Sequence, residues 1–189
     1  MPQKEINLQL EVSIKEARDS LSLLRPQERL DWAYQNFGHS FVLTTSFGIQ
    51  SAVLLHMLHE LNDGGKVPVL WVDTGYLPQE TYCYADHLTK IFGLDLRVAQ
   101  SQISAARMEA VYGRLWETGS VSDLEKYHQI RKVEPLEKIL ADLNVCCWAS
   151  GVRASQTKHR SSMTCLDSVR NRFSLRPLLD WTPKDVFYY

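Results

Sequence analysis

The amino-acid sequence predicts an α/β protein built on a parallel, doubly wound, Rossmann-like sheet. The chain has 189 residues, a length that suits one domain, and 44% of them are hydrophobic, which is enough for a sizeable core. Short apolar runs alternate with segments of helical periodicity along most of the chain. This alternation is expected of a parallel sheet with helices on both faces, in which ligands bind at the carboxyl ends of the strands.

Two amphipathic helices are predicted before the sheet. Apolar residues recur every three or four positions between residues 6 and 24. Pro26 suits the first turn of a second helix, which extends to Phe37. We expect residues 1–37 to form an N-terminal helical appendage that packs on an α/β domain of residues 38–189.

The first strand is predicted at Phe41–Thr45, a β-branched and apolar run typical of a strand buried on both faces. Periodicity and turn residues then predict, in order, helix 51–61, strand 67–72, helix 78–93, strand 94–98, an irregular helical stretch 104–126, helix 134–143, and strands 145–150 and 173–175. Thr182 and Pro183 signal one more helix, but the sequence ends at Tyr189. We therefore expect the domain to be incomplete at its C-terminus.

Charge and cysteine content exclude several classes of protein. With 21 basic and 22 acidic residues, no overall field draws the chain to nucleic acid or to an anionic membrane. The sequence has no membrane-spanning run and no signal-peptide pattern at its start, so a cytoplasmic location is expected. The cysteines are too few and too unevenly spaced for a disulfide framework or a metal site, and we expect reduced thiols at Cys83, Cys146, Cys147 and Cys165.

The turn after the first predicted strand is a candidate anion site. Ser46, Phe47 and Gly48 lead into the helix that is predicted to start at Ser51. A glycine and hydroxyls at such a turn leave backbone N–H groups at a helix N-terminus available to an anion. The alternative is an ordinary turn in which Ser51 caps the helix.

The turn after the second predicted strand is a candidate nucleoside site. Asp73 could accept a hydrogen bond from a ribose hydroxyl or an adenine amino group. Thr74 follows it, and Gly75 would let the backbone approach a ligand closely. The alternative is a turn that needs these residues only for its geometry.

Basic residues are concentrated near the C-terminus. Between Gly151 and Arg176, six cations accompany a single carboxylate, that of Asp167, which makes a local net charge of +5 in a chain whose total is −1. The six cations are Arg153, Lys158, Arg160, Arg170, Arg172 and Arg176. Guanidinium groups bind phosphate and sulfate in a bidentate manner, so the cluster predicts a multiply charged small anion. A solvated face or an RNA contact is the alternative.

Five ordered motifs resemble those of the assimilatory sulfonucleotide reductases. They are SFGIQS at 46–51, WVDTGYLPQETY at 71–82, YGRLWE at 112–117, EKYHQIRKVEPL at 125–136 and GVRASQTKHR at 151–160. The resemblance extends from about Pro26 onward and implies an adenine nucleotide α-hydrolase fold, similar to that of the wider ATP pyrophosphatase group. The motifs add Lys132, Gly151 and Gln156 to the candidate substrate-binding residues.

Departures from neighbouring families narrow the resemblance. Gln50 stands where the wider group has an aspartate near metal-bound triphosphate, which disfavours an ATP-cleaving ligase. Tyr127 and His128 stand where the adenylyl-sulfate branch has the cysteine pair of an iron–sulfur cluster. The resemblance thus implies the cluster-free branch, without a bound cofactor, which reduces 3'-phosphoadenylyl sulfate to sulfite and adenosine 3',5'-bisphosphate with thioredoxin as electron donor.

The nucleophile of this family is a cysteine in an ECGLH motif near the C-terminus. No such motif occurs in this sequence, so the catalytic cysteine is expected beyond Tyr189 and the chain alone is expected to be inactive. A noncatalytic nucleotide-binding fragment or regulator, an adenylyl-sulfate reductase and an ATP-using ligase of the same fold are the alternatives. The oligomeric state is left open, with a homodimer as one alternative.

Overall fold

The computed structural model describes residues 14–48, 50–61 and 64–189. Its helices are α1 (residues 14–22), α2 (Pro26–Phe37), α3 (Ser51–His59), α4 (Gln79–Phe92), α5 (Ala105–Tyr112), α6 (Val121–His128), α7 (Glu134–Asp142) and α8 (Pro183–Tyr188). Its strands are β1 (Phe41–Thr45), β2 (Val69–Asp73), β3 (Leu96–Gln100), β4 (Cys147–Ser150), β5 (Leu166–Val169) and β6 (Arg172–Leu175). A π-helical turn, Gln129–Val133, joins α6 to α7.

The strands form one sheet in the order β3-β2-β1-β4-β6-β5. Neighbouring strands are parallel except β5, which pairs antiparallel with β6. The predicted parallel α/β sheet is therefore confirmed, with an antiparallel edge that the sequence analysis missed. Arg170 and Asn171 connect β5 to β6 with φ values of 51° and 62°, as in a two-residue type I′ hairpin turn.

Several predicted boundaries shift in the structure. β1 has its predicted bounds, whereas β2 and β3 each begin two residues later than predicted. The predicted helical stretch 104–126 is broken into α5 and α6, because Gly113 and Gly119 adopt left-handed φ values of 74° and 71° between them. Of the helix predicted at 6–24, residues 14–22 are helical, and residues 6–13 lie outside the described part. No helix within the described ranges is long and apolar enough to cross a membrane.

Helix α2 shares the main hydrophobic core with the sheet. Leu30 and Ala33 of α2 are fully buried there, together with Phe41 of β1. Arg29, also on α2, is 2% exposed and donates from Nη1 to a carboxylate oxygen of Asp180 at 2.7 Å. Helix α2 thus packs on the sheet through apolar contacts and through a mostly buried guanidinium.

Replacing Leu30 with alanine should strongly destabilise the protein. Because the side chain is fully buried, we expect Leu30→Ala to lower the free energy of unfolding by about 2–5 kcal/mol. The matched control is Leu23→Ala, whose side chain is 87% exposed. The control should change the same free energy by less than about 0.5 kcal/mol. Denaturant titration of both variants measures this, and equal losses would contradict a core role for α2.

Candidate functional site

A cleft of about 760 Å³ lies where β1, β2 and β4 end. Its lining includes the apolar side chains of Leu54, Trp71, Leu77 and Leu136. Three cations also line it, namely Lys132, Arg160 and Arg170. No aspartate or glutamate is among the described residues that line it. The cleft therefore suits a ligand with a flat apolar part and several negative charges.

The turn between β1 and α3 forms one wall of the cleft. The N-cap of α3 is Gln50, and no side chain caps the helix. The carboxamide oxygen of Gln50 instead accepts a hydrogen bond from Nη2 of Arg153. Ser51 is thus the first helical residue and not the capping serine that the sequence left as an alternative. The start of α3, with its N–H groups free of a side-chain acceptor, is placed to bind an anion.

Two residues of this turn have different tasks. Phe47 has a left-handed φ of 49°, and its ring packs edge-on against Trp71 with centroids 5.1 Å apart. Since Phe47 is only 2% exposed, it fixes the turn from the core and does not line the cleft. A Cβ at Gly48 would lie 3.7 Å from Oγ of Ser46 and 4.0 Å from Oγ of Ser51, so glycine keeps the space between these hydroxyls open.

The carboxylate of Asp73 stabilises the turn after β2. It accepts hydrogen bonds from the N–H of Gly75 at 2.8 Å, from the hydroxyl of Tyr82 at 2.7 Å and from Nε2 of Gln100 at 2.7 Å. Burial alone would raise the pKa of Asp73, but these hydrogen bonds and the charge of Arg131 together hold it below its ordinary value. Asp73 is thus an ionised structural centre, and it does not line the cleft.

Arg131 lies in the π-helical segment Gln129–Val133, and its guanidinium stabilises the turn after β2. Its Nε donates to the carbonyl oxygen of Thr74 at 2.7 Å, Nη2 donates to the same oxygen, and Nη1 donates to the carbonyl of Ile103. A Cβ at Gly75 would lie 2.7 Å from Nη2 of Arg131, so glycine here makes room for the guanidinium and not for a ligand. The next residue, Lys132, lines the cleft.

Half of the predicted basic cluster is compensated within the fold. Arg170 and Arg172 each donate to a carboxylate oxygen of Glu137 at 2.7 Å, and these hydrogen bonds hold the pKa of Glu137 below its ordinary value. Arg176 donates to the carboxylate of Asp167 at 2.6 Å. These three arginines therefore serve mainly as structural ion pairs, although Arg170 also lines the cleft.

The other half of the cluster has no carboxylate partner within the described ranges. Arg153 is 4% exposed, and its Nε has no hydrogen-bond partner. Burial, and then the nearby charge of Arg160, lower the pKa of the Arg153 guanidinium. Arg160 donates to the amide oxygen of Gln156, and both residues line the cleft. Lys158 is exposed and lies outside the cleft lining.

The structure brings most of the candidate residues to one place. Those that line the cleft are Ser46, Gly48, Ser51, Thr74, Lys132, Gly151, Gln156 and Arg160. Those that do not are Phe47, Asp73, Gly75, Arg153 and Lys158. Arg170 of the basic cluster also lines it, as does Gln50, which was not among the candidate site residues. For Gln50 the available signal was its place in the turn, at the position of the wider group's aspartate.

A family model described as the phosphoadenosine phosphosulfate reductase domain matches residues 40–189. The chain belongs to this family. A phosphoadenosine 5'-phosphosulfate reductase of Synechococcus sp. is 48% identical over 177 residues, which cover 94% of this chain and 75% of that relative. The reductase of the same name from Synechocystis sp. is 47% identical, with coverage of 86% and 65%. This chain is thus shorter than both relatives.

Solved structures agree with this family and with the fold. The crystal structure of phosphoadenylyl-sulfate reductase from Candida auris, a phosphate complex, matches with a TM-score of 0.79 and 25% identity, covering 93% of this chain and 83% of that one. The NH3-dependent NAD synthetase of Campylobacter jejuni matches with a TM-score of 0.57 at 14% identity, covering 93% and 71%. The second likeness concerns the fold alone, which is the adenine nucleotide α-hydrolase type predicted from the motifs.

Tyr127 and His128 occupy the positions where the resemblance places the cysteine pair of the other branch. The ring of Tyr127 lies 5.4 Å from that of Trp116 and 6.1 Å from that of Tyr76, measured between centroids. An aromatic cluster therefore occupies the place at which the sequence analysis located the other branch's thiolates. No group of three or more His, Cys, Asp or Glu side chains in the described ranges is arranged to hold a metal ion.

None of the four cysteines lines the cleft. Cys83 and Cys146 are exposed, Cys147 and Cys165 are buried, and all four are unpaired and absent from the cleft lining. Burial raises the pKa of Cys147 to about 12 and also raises the pKa of Cys165. Both buried thiols are therefore protonated at neutral pH and are poor nucleophiles.

Replacing Gly75 with alanine should weaken ligand binding through Arg131. The substitution places an alanine at a left-handed φ, which costs about 1–2 kcal/mol. It also places a methyl group 2.7 Å from Nη2 of the Arg131 guanidinium. We expect Gly75→Ala to lower both the unfolding midpoint and the affinity for adenosine 3',5'-bisphosphate, as measured by calorimetry. Gly119→Ala is the control, because Gly119 has a similar φ but open space around it. Equal affinities in the two variants would contradict the role of Arg131 in holding the turn after β2 for ligand binding.

Proposed function

We propose that this chain provides the nucleotide-binding body for reduction of 3'-phosphoadenylyl sulfate to sulfite and adenosine 3',5'-bisphosphate in assimilatory sulfate reduction. The observation that supports this most is the charge of the cleft: cations and an uncapped helix N-terminus surround it, and no described carboxylate lines it. The phosphosulfate and the 3'-phosphate of this substrate supply the negative charges that such a cleft needs. The relatives' names point to the same substrate.

The substrate's parts correspond to different walls of the cleft. The apolar side chains of Trp71, Leu77 and Leu136 suit the adenine ring. The start of α3, with Gly48 and Ser51, suits one anionic group. Arg160 and Lys132 supply further cations for the remaining anionic groups. We assign these roles as part of the proposal.

The reduction requires a thiolate that attacks the sulfur atom of the bound sulfate. In the proposed sequence, this attack breaks the bond between sulfur and the bridging phosphate oxygen, which releases the bisphosphate and leaves an S-sulfonate on the thiol. A thiolate of reduced thioredoxin then attacks the cysteine sulfur that carries the sulfonate, which releases sulfite and forms a mixed disulfide. The second thiol of thioredoxin resolves this mixed disulfide, which regenerates the attacking thiol. Thioredoxin is thus oxidised as the sulfate is reduced.

The attacking thiolate is not one of this chain's cysteines in our proposal. None of the four lines the cleft, and the two buried thiols have raised pKa values. The remaining cysteines, Cys83 and Cys146, are exposed. This placement also favours the second candidate function, a nucleotide-binding protein without catalytic activity of its own.

We place the protein in the cytoplasm as part of this proposal. Its four cysteines are all unpaired, and two of them are exposed. Exposed unpaired thiols persist in a reducing compartment and are lost to oxidation outside it. A reducing compartment also supplies reduced thioredoxin.

The chain should bind adenosine 3',5'-bisphosphate more tightly than AMP. The second phosphate meets additional cations, so we expect an affinity difference of at least about tenfold, as for one added charge-assisted hydrogen bond. Isothermal titration calorimetry with both ligands measures it. Lys132→Met should reduce this preference, whereas Lys138→Met should not, because Lys138 is exposed and pairs with Asp142. Equal affinities for the two ligands would remove the case for a second anion subsite.

The 189-residue chain should bind the nucleotide but release no sulfite. We expect no sulfite from 3'-phosphoadenylyl sulfate and reduced thioredoxin, since no cysteine lines the cleft. Appending a segment that carries ECGLH should restore turnover, and changing its cysteine to serine should abolish it again. If the 189-residue chain is active and Cys165→Ser stops it, an internal nucleophile replaces the one proposed.

A further inference from the structure

The buried arginines among the described residues differ in the groups that accept hydrogen bonds from their guanidinium groups. Arg29 and Arg176 each form an ion pair with an aspartate, and Arg131 donates to backbone carbonyls. Arg153 has neither kind of partner for its guanidinium. Its Nη2 donates to the carboxamide oxygen of Gln50, and its Nε has no partner. A neutral amide thus holds a guanidinium that is 4% exposed.

A second glutamine repeats this arrangement beside it. The amide oxygen of Gln156 accepts hydrogen bonds from Nη1 of Arg160 and from the backbone N–H of Arg153, the latter at 3.1 Å. Gln50 and Gln156 both line the cleft. Two neighbouring guanidinium groups are therefore held by amides that line a cleft without a described carboxylate; Arg160 lines the cleft as well, whereas Arg153 is buried outside the lining.

An amide and a carboxylate differ in their effect on such a pair. Both accept a hydrogen bond and fix the guanidinium, but only the carboxylate cancels its charge. Inside a protein, where the effective dielectric constant is low, the cancelled charge no longer attracts a ligand anion a few ångströms away. Leaving a buried charge uncancelled costs folding stability, so the arrangement has a physical cost in the absence of ligand.

We propose that Gln50 is a specificity-determining residue, which holds Arg153 in place without neutralising it so that the guanidinium charge remains available to the anionic groups of the ligand. Gln156 does the same for Arg160. The identity of the nucleotide in this inference rests on the proposed function. The preference of the cleft for anions does not depend on it. It also explains what the glutamine does at the position where the wider group has an aspartate.

The proposal predicts opposite changes in stability and affinity for Gln50→Glu. The new carboxylate has the same length and pairs with Arg153, so the ligand-free protein should become more stable. Because the pair cancels a charge at the cleft, the affinity for polyanions should fall. A residue with a purely structural role would instead change stability and affinity in the same direction. Gln156→Glu is a second, independent test at Arg160.

The experiment combines scanning calorimetry without ligand and titration with adenosine 3',5'-bisphosphate, inorganic pyrophosphate and adenosine. For Gln50→Glu we expect Tm to rise by about 2–4 °C and affinity for both polyanions to fall at least about tenfold. Adenosine affinity should remain unchanged. Gln35→Glu, on the exposed side of α2, adds the same charge outside the cleft and should leave every affinity unchanged.

Two results would overturn the proposal. One is an unchanged affinity for polyanions in both Gln50→Glu and Gln156→Glu. The other is a joint loss of Tm and affinity in Gln50→Glu, which would make the glutamine structural. In a third outcome, the wild-type protein binds pyrophosphate but not the bisphosphate, and Gln50→Glu loses the pyrophosphate affinity. This outcome would support the inference about Gln50 and overturn only the proposed nucleotide.

Discussion

Parallel pairing of β1 with both β2 and β4 is the constraint on which the site depends. The register places Thr45 opposite Trp71 and Thr44 opposite Ser150, so the three strands end at the same edge of the sheet. The loops that follow them are therefore neighbours in space although they are far apart in sequence. Without this alignment, the start of α3 and the arginines after β4 would not share one cleft.

The distribution of carboxylates decides what the basic residues do. Glu137 forms an ion pair with Arg172 of β6, and Asp167 forms one with Arg176, which directly follows β6. Both pairs stabilise this edge of the sheet. No described carboxylate lines the cleft, and Arg153 and Arg160 contact two glutamines that do line it. Arginines thus stabilise the fold where a carboxylate lies near, and in our proposal they keep their charge for a ligand where an amide takes its place.

The sequence predicts a secondary-structure element correctly where the local residue pattern and the tertiary environment agree. Phe41–Thr45 is apolar and lies at the centre of the sheet, so its composition and its burial coincide. The edge strand β5 was missed because Leu166–Val169 contains two polar residues, and because the turn that follows it lacks the glycine that usually marks a hairpin. At the site, the turns and cations were predictable, but the pairing of each cation was not. Pairing depends on which carboxylates the fold brings near, and spacing along the chain does not encode that.

The π-helical turn at Gln129–Val133 limits how this region can vary in length. The N–H of Glu134 donates to the carbonyl of Gln129, five residues earlier, so the turn holds one residue more than an α-helix would. The wide turn absorbs this extra residue locally, so removing it would return the segment to an α-helical turn. One further inserted residue would instead rotate α6 against α7 by about 100°. Such a rotation would move Tyr127 away from its aromatic neighbours or Lys132 out of the cleft.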